Sequence, residues 1–435
     1  MTAVRKPQLE PYTLWHVNFP GGVFAIRPRW LLDYPCDAIG DLVGTEGHLL
    51  HLWLAAQPGV RWYSHPEYLT TRHTRPRTTL AYQRYFDHYR RACSSLSGDF
   101  DLVDPGPPPR GADPGWSRYR LRPRRTAERV TVIVPFRDKP GVTIRCLTSL
   151  LRQRVSGELY VLLVDNGSER RSTRRIEDWL QGEGASLRCR IIRDDGAFNH
   201  SRLCNLGVRE SSGEVVVFLN NDAELVDEDS LEEMSRWSLV PDVATVGCRI
   251  TTPDGRLVCA GVDPRPVART ALDEPVEESV DPSFSLAVRE TFANTFACAA
   301  ISREVLDRLG PLNEVEFPAG YNDVEYCLRA RRAGYRHIYL GHIRVIHVPG
   351  TTRSRSDETC QKVILRLRYP ELVAAGIFRA RWLSDVARFD LALPERPDAI
   401  SVKAVLQHRL AKFPLAYRLA RIMWRIAYCG LARRA

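Results

Sequence analysis

Lysine is scarce in this chain. Lys6, Lys139, Lys362, Lys403 and Lys412 are the whole set, so the net charge of +10 is carried almost wholly by arginine. A basic balance suits phosphate-bearing ligands or an anionic membrane surface, with nucleic acid as a rival partner. No recognised nucleic-acid module is present, so no nucleic-acid partner is expected. Paired cysteine spacing is missing as well: the eleven cysteines are odd in number and lack C-x-x-C or Cys/His pairs. That argues against a disulfide framework and against a zinc site. No stretch approaches the roughly 18 apolar residues of a membrane span. The opening M-T-A-V-R-K-P-Q-L-E-P-Y has no apolar signal region. The expectation is a reducing, cytoplasmic setting.

What is present reads as an ordinary globular composition, 44% hydrophobic and 26% charged, with room for two or three domains. A break falls at residues 104–128, rich in Pro, Gly and Arg, where Asp104 to Arg125 is expected to be an irregular, solvated linker. Before it, residues 1–103 carry many aromatics and helical signals at Leu49 to Ala56 and Leu80 to Ala92, but no assignable chemistry. After it, strands and helices alternate. T-V-I-V-P-F (131–136), L-Y-V-L-L-V-D (159–165), R-C-R-I-I-R (188–193) and V-V-V-F-L (215–219) read as strands. Helices are expected behind the first, with Ile144, Leu147, Leu151 and Val155 on one face, at Arg170 to Leu180, and at Ser201 to Glu210. This alternation predicts an α/β fold with a mostly parallel sheet and helices on both faces. Ligands in such sheets bind beyond the carboxyl ends of the strands.

Two strand ends there are polar. Val217 to Leu225, V-F-L-N-N-D-A-E-L, ends an apolar run in residues too costly to bury unpaired, and V-L-L-V-D-N-G-S places Asp165 at another end. A lone Asp after a strand is more often a turn or helix-cap residue. Two in one sheet point to a ligand, because Asp222 with Asn220 offers oxygen ligands to a hard divalent cation. Asp165 can accept a hydrogen bond from a base or ribose.

Seven segments, in order, carry a resemblance: P-F-R-D-K-P (135–140), V-D-N-G-S (164–168), F-N-H-S-R-L-C-N-L-G (198–207), F-L-N-N-D-A-E (218–224), P-D-G-R-L-V-C-A-G-V (253–262), Y-N-D-V-E-Y-C-L-R (321–329) and H-V-P-G-T-T-R (347–353). Over residues 129–355 the chain resembles an inverting family 2 glycosyltransferase of the GT-A fold, of the rhamnosyltransferase-like kind that builds bacterial surface polysaccharides. The resemblance implies a nucleotide loop at Pro135, Phe136, Arg137 and Asp138, and a base or ribose contact at Asp165. It puts Asn199, Arg202 and Asn205 on the donor side. The family's D-x-D metal motif reads Asn220-Asn221-Asp222 here, its first acid replaced by an amide. His347 matches a histidine that completes the shell of a Mg²⁺ or Mn²⁺ ion, where position alone would read it as a satisfied histidine between two strands. Arg353 and Arg355, just past it in a Gly/Thr/Ser-rich segment, either close over the pyrophosphate as bidentate donors or lie in a solvated loop.

The same register makes Asp323 the general base and Glu325 the reserve. Both lie on an expected helix from Asp323 to Ala333 with Asn322 as N-cap. Residues two apart on a helix point about 200° apart, so one of the two faces a given site. Acids in a first helical turn are also stabilised by the dipole without any catalysis. Cys298, with no His-based pairing near it, reads as packing. The partners implied are a nucleotide-sugar donor and a glycan or lipid-linked acceptor. A sugar nucleotidyltransferase is the rival enzyme, but P-F-R-D-K-P-G lacks the Gly-rich loop it needs. A degenerate, membrane-docked scaffold is the rival outside enzymes, with Asn220 its best argument. Residues 356–435 read as a helical C-terminal region. From Val402 on there is no acid at all, and Leu415, Leu419, Ile422 and Ile426 share one face flanked by Arg418, Arg421 and Arg425. Such a basic amphipathic helix either lies in an anionic membrane interface or packs on the catalytic domain.

Overall fold

A computed structural model of the chain describes residues 99–103, 120–263, 269–270, 286, 288–347, 361, 364–365 and 368–369. The helical signals before residue 99, Arg353 and Arg355, and the acid-free tail lie outside the described residues. The strands and helices after the linker form where the apolar runs place them. β3 (Arg129–Phe136), β4 (Glu158–Asp165), β5 (Cys189–Arg193) and β6 (Val215–Leu219) pair in parallel in the order β6-β3-β4-β5. Strands buried on both faces need apolar side chains at every position, and β6 is buried throughout. The period of two sorts those side chains between two cores. Val215, Val217 and Leu219 join one, whereas Val216 and Phe218 join the other.

Between these strands run α1 (Pro140–Leu151), α2 (Arg170–Gln181) and α3 (His200–Arg209). α3 presses on β3 so closely that a Cβ on Gly207 would meet the Ile133 side chain at 2.4 Å. Past β6 the chain continues through β7 (Ala223–Leu225), α4 (Ser230–Ser238), β8 (Val243–Thr251) and β9 (Leu257–Cys259). β10 (Val262–Asp263) and β11 (Arg269–Thr270) form a separate ribbon. β12 (Val288–Thr291), β13 (Cys298–Ser302), α5 (Arg303–Leu309), α6 (Asn322–Arg332) and β14 (Arg336–His347) follow.

The main sheet runs β12-β14-β8-β13-β6-β3-β4-β5. β13 is antiparallel to both β6 and β8, and β8 is parallel to β14. Six of these strands therefore point one way, and β13 and β12 run against them. The carboxyl ends of β3, β4, β6 and β14 consequently share one edge of the sheet.

Three details differ from the sequence reading. Arg120 to Pro123, expected as linker, forms β2 and pairs antiparallel with β1 (Phe100–Val103). Alternation explains it: Leu121 enters the core, and Arg122 pairs with the buried carboxylate of Glu233 at 2.7 Å. Asn322 is the first residue of α6 rather than its cap; Tyr321 precedes it in the left-handed region at φ 55°. Its amide instead meets His200 Nδ1 at 3.2 Å and donates to the Ser201 hydroxyl. The core also reaches past residue 355, since Leu365 and Tyr369 are buried against the second cluster.

Candidate active site

At the shared edge, the turn after β6 carries Asn220, Asn221 and Asp222. β7 then turns back to pair with the last residues of β14, setting His347 opposite Ala223. That pairing brings His347 Nε2 to 3.0 Å from Asp222 Oδ1 and 3.4 Å from the Asn220 amide. Asp222 and His347 side chains remain 25% and 13% exposed, so the pair can be reached from solvent. Asn221 faces away and donates to the Thr143 hydroxyl on α1 at 3.1 Å. The turn is gripped from beneath: the Asn220 N–H donates to the Ala297 carbonyl, and the Cys146 thiol donates to the Asn220 carbonyl at 3.7 Å. Burial first, then the neighbouring Cys298, Asp222 and Glu224, push that thiol well above its ordinary range, so Cys146 is a donor and not a nucleophile.

The donors at this turn fit a divalent cation. Neighbouring ligands of an octahedral ion bound at about 2.1 Å stand about 3.0 Å apart, which is the Asp222 to His347 separation. Turning the Asn220 amide over presents its oxygen to the same point. No group of three His, Cys, Asp or Glu able to hold a metal occurs among the described residues. Among the described residues this turn brings together one carboxylate, one imidazole and one amide. A carboxylate suits Mg²⁺ or Mn²⁺, and an imidazole suits transition ions.

Asp323 reaches the same neighbourhood from α6. Its Oδ2 accepts the Phe296 N–H at 3.3 Å, one residue before the carbonyl that holds Asn220. The Phe296–Ala297 unit thus joins the two acids' elements. Asp323 is half-buried. Glu325 points elsewhere: it is buried, its Oε2 3.4 Å from Arg329 and its Oε1 accepting from the Tyr369 hydroxyl at 3.0 Å.

The remaining sequence candidates are placed as follows. Pro135 and Phe136 are buried at the end of β3, while Arg137 is exposed. Asp138 and Lys139 both adopt left-handed backbone, at φ 50° and 48°. Strain of this sort persists only where surroundings hold it, and Asp138 is held twice, through its N–H to Ser168 and its carboxylate to the Glu169 N–H. Asp165 is fully buried; its Oδ1 accepts from Ser168 N–H at 2.8 Å, and its Oδ2 from the Thr173 hydroxyl and from Arg193 at 2.9 Å. Arg202 pairs with Asp194 and lies flat over Gly196, where a Cβ would sit 2.2 Å from the guanidinium.

Asn199 and Asn205 are engaged with the loop before α6. Asn199 caps α3 by accepting the Arg202 N–H and donates to the Glu314 carbonyl at 2.8 Å. Asn205 exchanges two bonds with Leu312, donating to its carbonyl and accepting its N–H. Ser201 adds bonds to the Phe317 and Pro318 carbonyls. Nothing in the sequence spacing signals this lacing, nor the partnerships of Thr143, Arg193 and Phe296, because each joins segments far apart in the chain.

Residues 131–310 match the family described as Glycosyl transferase family 2. Over those residues the chain is similar to that family. The chain is 34% identical over 243 residues to the uncharacterized protein y4gI of Sinorhizobium fredii, across 55% of this chain and 26% of that one. It is 33% identical over 249 residues to the O-antigen biosynthesis protein RfbC of Myxococcus xanthus, across 55% of this chain and 19% of that one. The chain therefore spans about a quarter or less of these relatives. Among solved structures, it resembles a mannosyltransferase from Pyrobaculum calidifontis, solved with GDP-Man and Mn²⁺, at 20% identity over 68% of this chain and 88% of that one, with a TM-score of 0.45.

Proposed function

We propose that the chain moves a sugar from a nucleotide-sugar donor to an acceptor hydroxyl, with inversion, on a polysaccharide or lipid-linked glycan. The observation that carries the reading is the meeting of Asp222, His347 and Asn220 at the strand edge, with Asp323 bonded to Phe296, the residue before the Ala297 carbonyl that holds Asn220. Asp323 takes the proton from the acceptor hydroxyl, whose oxygen attacks the anomeric carbon from the face opposite the leaving group. The sugar–phosphate bond breaks and its electron pair departs with the nucleoside diphosphate. Asp222 and His347, with Asn220, would hold a Mg²⁺ or Mn²⁺ ion, which when bound supplies neutralisation of the diphosphate charge. Arg137 and the loop through Asp138 serve the nucleotide; Asp165, buried with both oxygens taken by Ser168, Thr173 and Arg193, acts by position; and Arg353 with Arg355 serve the pyrophosphate. Asn199 and Asn205 act by position, since they brace the loop leading to Asp323.

The O-antigen relative supports a polysaccharide acceptor. No helix among the described residues is long and apolar enough to cross a membrane. We place the enzyme in the cytoplasm, with its acid-free tail on the inner membrane face. The scaffold reading keeps Asn220 as its argument, and the test separates the two. A thermal-shift panel of UDP, dTDP, GDP and CMP, with and without Mn²⁺, should show one nucleotide whose stabilisation grows with the metal. A ligand at about 100 times its Kd adds about 2.7 kcal/mol to apparent stability. Asp222→Ala should erase the metal-dependent part and nucleotide-sugar turnover, and His347→Ala should do so partially. Full turnover in EDTA overturns the metal assignment, and no nucleotide response in any arm favours the scaffold.

A further inference from the structure

Two arginines stand side by side on the main sheet. Arg344 of β14 is in register with Arg249 of the parallel strand β8, and both are half-buried. Arg344 is aimed by its Nε, which donates to the Thr251 hydroxyl at 3.1 Å, whereas the Arg249 Nε is shut off from water and has no hydrogen-bond partner. Neither guanidinium forms an ion pair with a carboxylate among the described residues. Asp227, exposed two residues past β7, attracts Arg249 only through space. Strands lie about 4.8 Å apart, so the two charges repel. A guanidinium N–H hidden from water without a partner also keeps its desolvation penalty. Burial first, and then the Arg344 charge, push the Arg249 guanidinium below its ordinary value against the pull of Tyr339 and Asp227. An anion between the two side chains removes all of these costs.

The period of two fixes where the pair points. Ile250 and Val345, one residue further on, enter the first core, so Arg249 and Arg344 lie on the opposite face. His347, paired with the core residue Ala223, shares the first face. On the arginine face, Thr245 of β8 meets Cys327 of α6 at 3.8 Å, one helical turn after Asp323. β13 and β8 pair Ala299 with Gly247. Carried two residues further, that register sets Ala297 level with Arg249, beside the Phe296 that bonds Asp323. The pair therefore belongs to the side of the sheet that carries Asp323, and not to the side of the Asp222–His347 contact.

We propose that Arg249 and Arg344 hold a phosphate group carried by the acceptor. One guanidinium fork satisfies a carboxylate, whereas two side by side match a group with three outer oxygens and a charge of about −2. The donor's diphosphate goes to the cation at Asp222 and His347 on the other face, so the group at the arginines is a second one. Acceptors that present such a group are a phosphorylated glycan and a glycan on a lipid phosphate. The phosphate class rests on the arginines; its assignment to the acceptor rests on the glycosyltransferase reading above.

The test uses the full chain in EDTA, with methyl phosphate and farnesyl phosphate as probes in phosphorus NMR titrations, and the nucleotide thermal shift with Mn²⁺ on parallel samples. At least one phosphate should bind and raise the unfolding midpoint. Arg249→Gln and Arg344→Gln should each weaken it about tenfold or more. Arg344→Lys, which keeps the charge and loses the fork, should weaken it too, and it carries the test if the glutamine variants fold poorly. Arg256→Gln, which removes an exposed arginine paired with Asp254, should bind normally, as should Asp222→Ala. The nucleotide response should persist in all the arginine variants. Tighter binding of farnesyl phosphate supports the site with a lipid-linked acceptor, and equal binding of both probes supports it with a phosphorylated glycan. No binding by the unmodified chain, or an equal loss in Arg256→Gln or Asp222→Ala, overturns the site, since phosphate then follows overall charge or the metal turn. So does an Arg344→Gln protein that leaves phosphatidylglycerol vesicles while its methyl phosphate binding is intact, because the pair then meets a bilayer. A nucleotide response absent from every protein, with phosphate binding intact, overturns the glycosyltransferase reading and leaves the phosphate site standing.

Discussion

His347 and Asp222 show how much a single side chain can decide at this edge. His347 offers a ring nitrogen and Asp222 a carboxylate oxygen to the same point, so loss of either should weaken a bound cation. The base claim concerns a neighbouring residue. A positioned base contributes about 10²–10⁴-fold in rate, so Asp323→Asn should lower turnover by about that factor, with the nucleotide thermal shift retained. Glu325→Gln should act on stability first, because Glu325 is buried against Arg329 and Tyr369. Steady-state kinetics with denaturation midpoints on both variants checks the division. His337 gives a pH prediction. Burial, and then the Arg331 charge, lower its pKa from 6.5 to about 3, and it sits between the Thr245 hydroxyl and the Cys327 carbonyl. The native state keeps it neutral where the unfolded chain takes up a proton. Its contribution to stability is therefore fully present above about pH 6.5 and is lost as pH falls from there toward 3, at up to about 1.4 kcal/mol per pH unit. Urea midpoints at pH 7 and 5 should show this fall, and His337→Gln should flatten it.

At the scale of elements, the β1–β2 ribbon is the least expected part of the fold. It docks on α4 through Phe100 against Trp237, with ring centroids 5.5 Å apart, and through Arg236 donating to the Pro123 and Arg124 carbonyls. Arg122 faces Glu233, which is buried and also lies 3.8 Å from His342. Breaking a fully buried pair typically costs about 3–5 kcal/mol. The Arg122 side chain is 29% exposed, so Arg122→Ala should cost less, about 1–3 kcal/mol once screening is allowed for. Chemical denaturation checks the value. A loss below about 0.5 kcal/mol would mean that Glu233 is held well enough by its other neighbours and that the ribbon's docking is mainly apolar.

Over the whole molecule, the charge is uneven in a way that bears on where the enzyme works. The chain is basic overall, and residues 402–435 carry eight Lys and Arg with no acid. Each basic residue near an anionic surface is worth about 1 kcal/mol, screened by salt. Removing 402–435 should therefore release the protein from phosphatidylglycerol vesicles at low salt while turnover on a soluble acceptor persists. Sedimentation with vesicles at two salt concentrations checks it, and equal binding by both forms removes the tail from membrane docking.

The sequence by itself determined the parallel half of the sheet and the residues at its carboxyl edge. Continuous β-branched runs such as Val130 to Val134 read as buried strands, and a polar Asp or Asn after such a run is a local signal. The family register likewise placed His347 and Asp323 by position in order. Only the tertiary structure decided which of these meet. His347 and Asn220 are 127 residues apart, and their approach depends on β7 turning back against β14, a pairing that no local pattern encodes. Asp323 and Glu325 are equivalent in composition and helical position. They are told apart by what lies on each side of α6, the Phe296 N–H on one and Arg329 with Tyr369 on the other. Asn199 and Asn205 look like ligand residues in sequence, but their amides brace a loop more than a hundred residues away. Hydrogen-bonding capacity is a property of the residue, whereas its partner is a property of the fold.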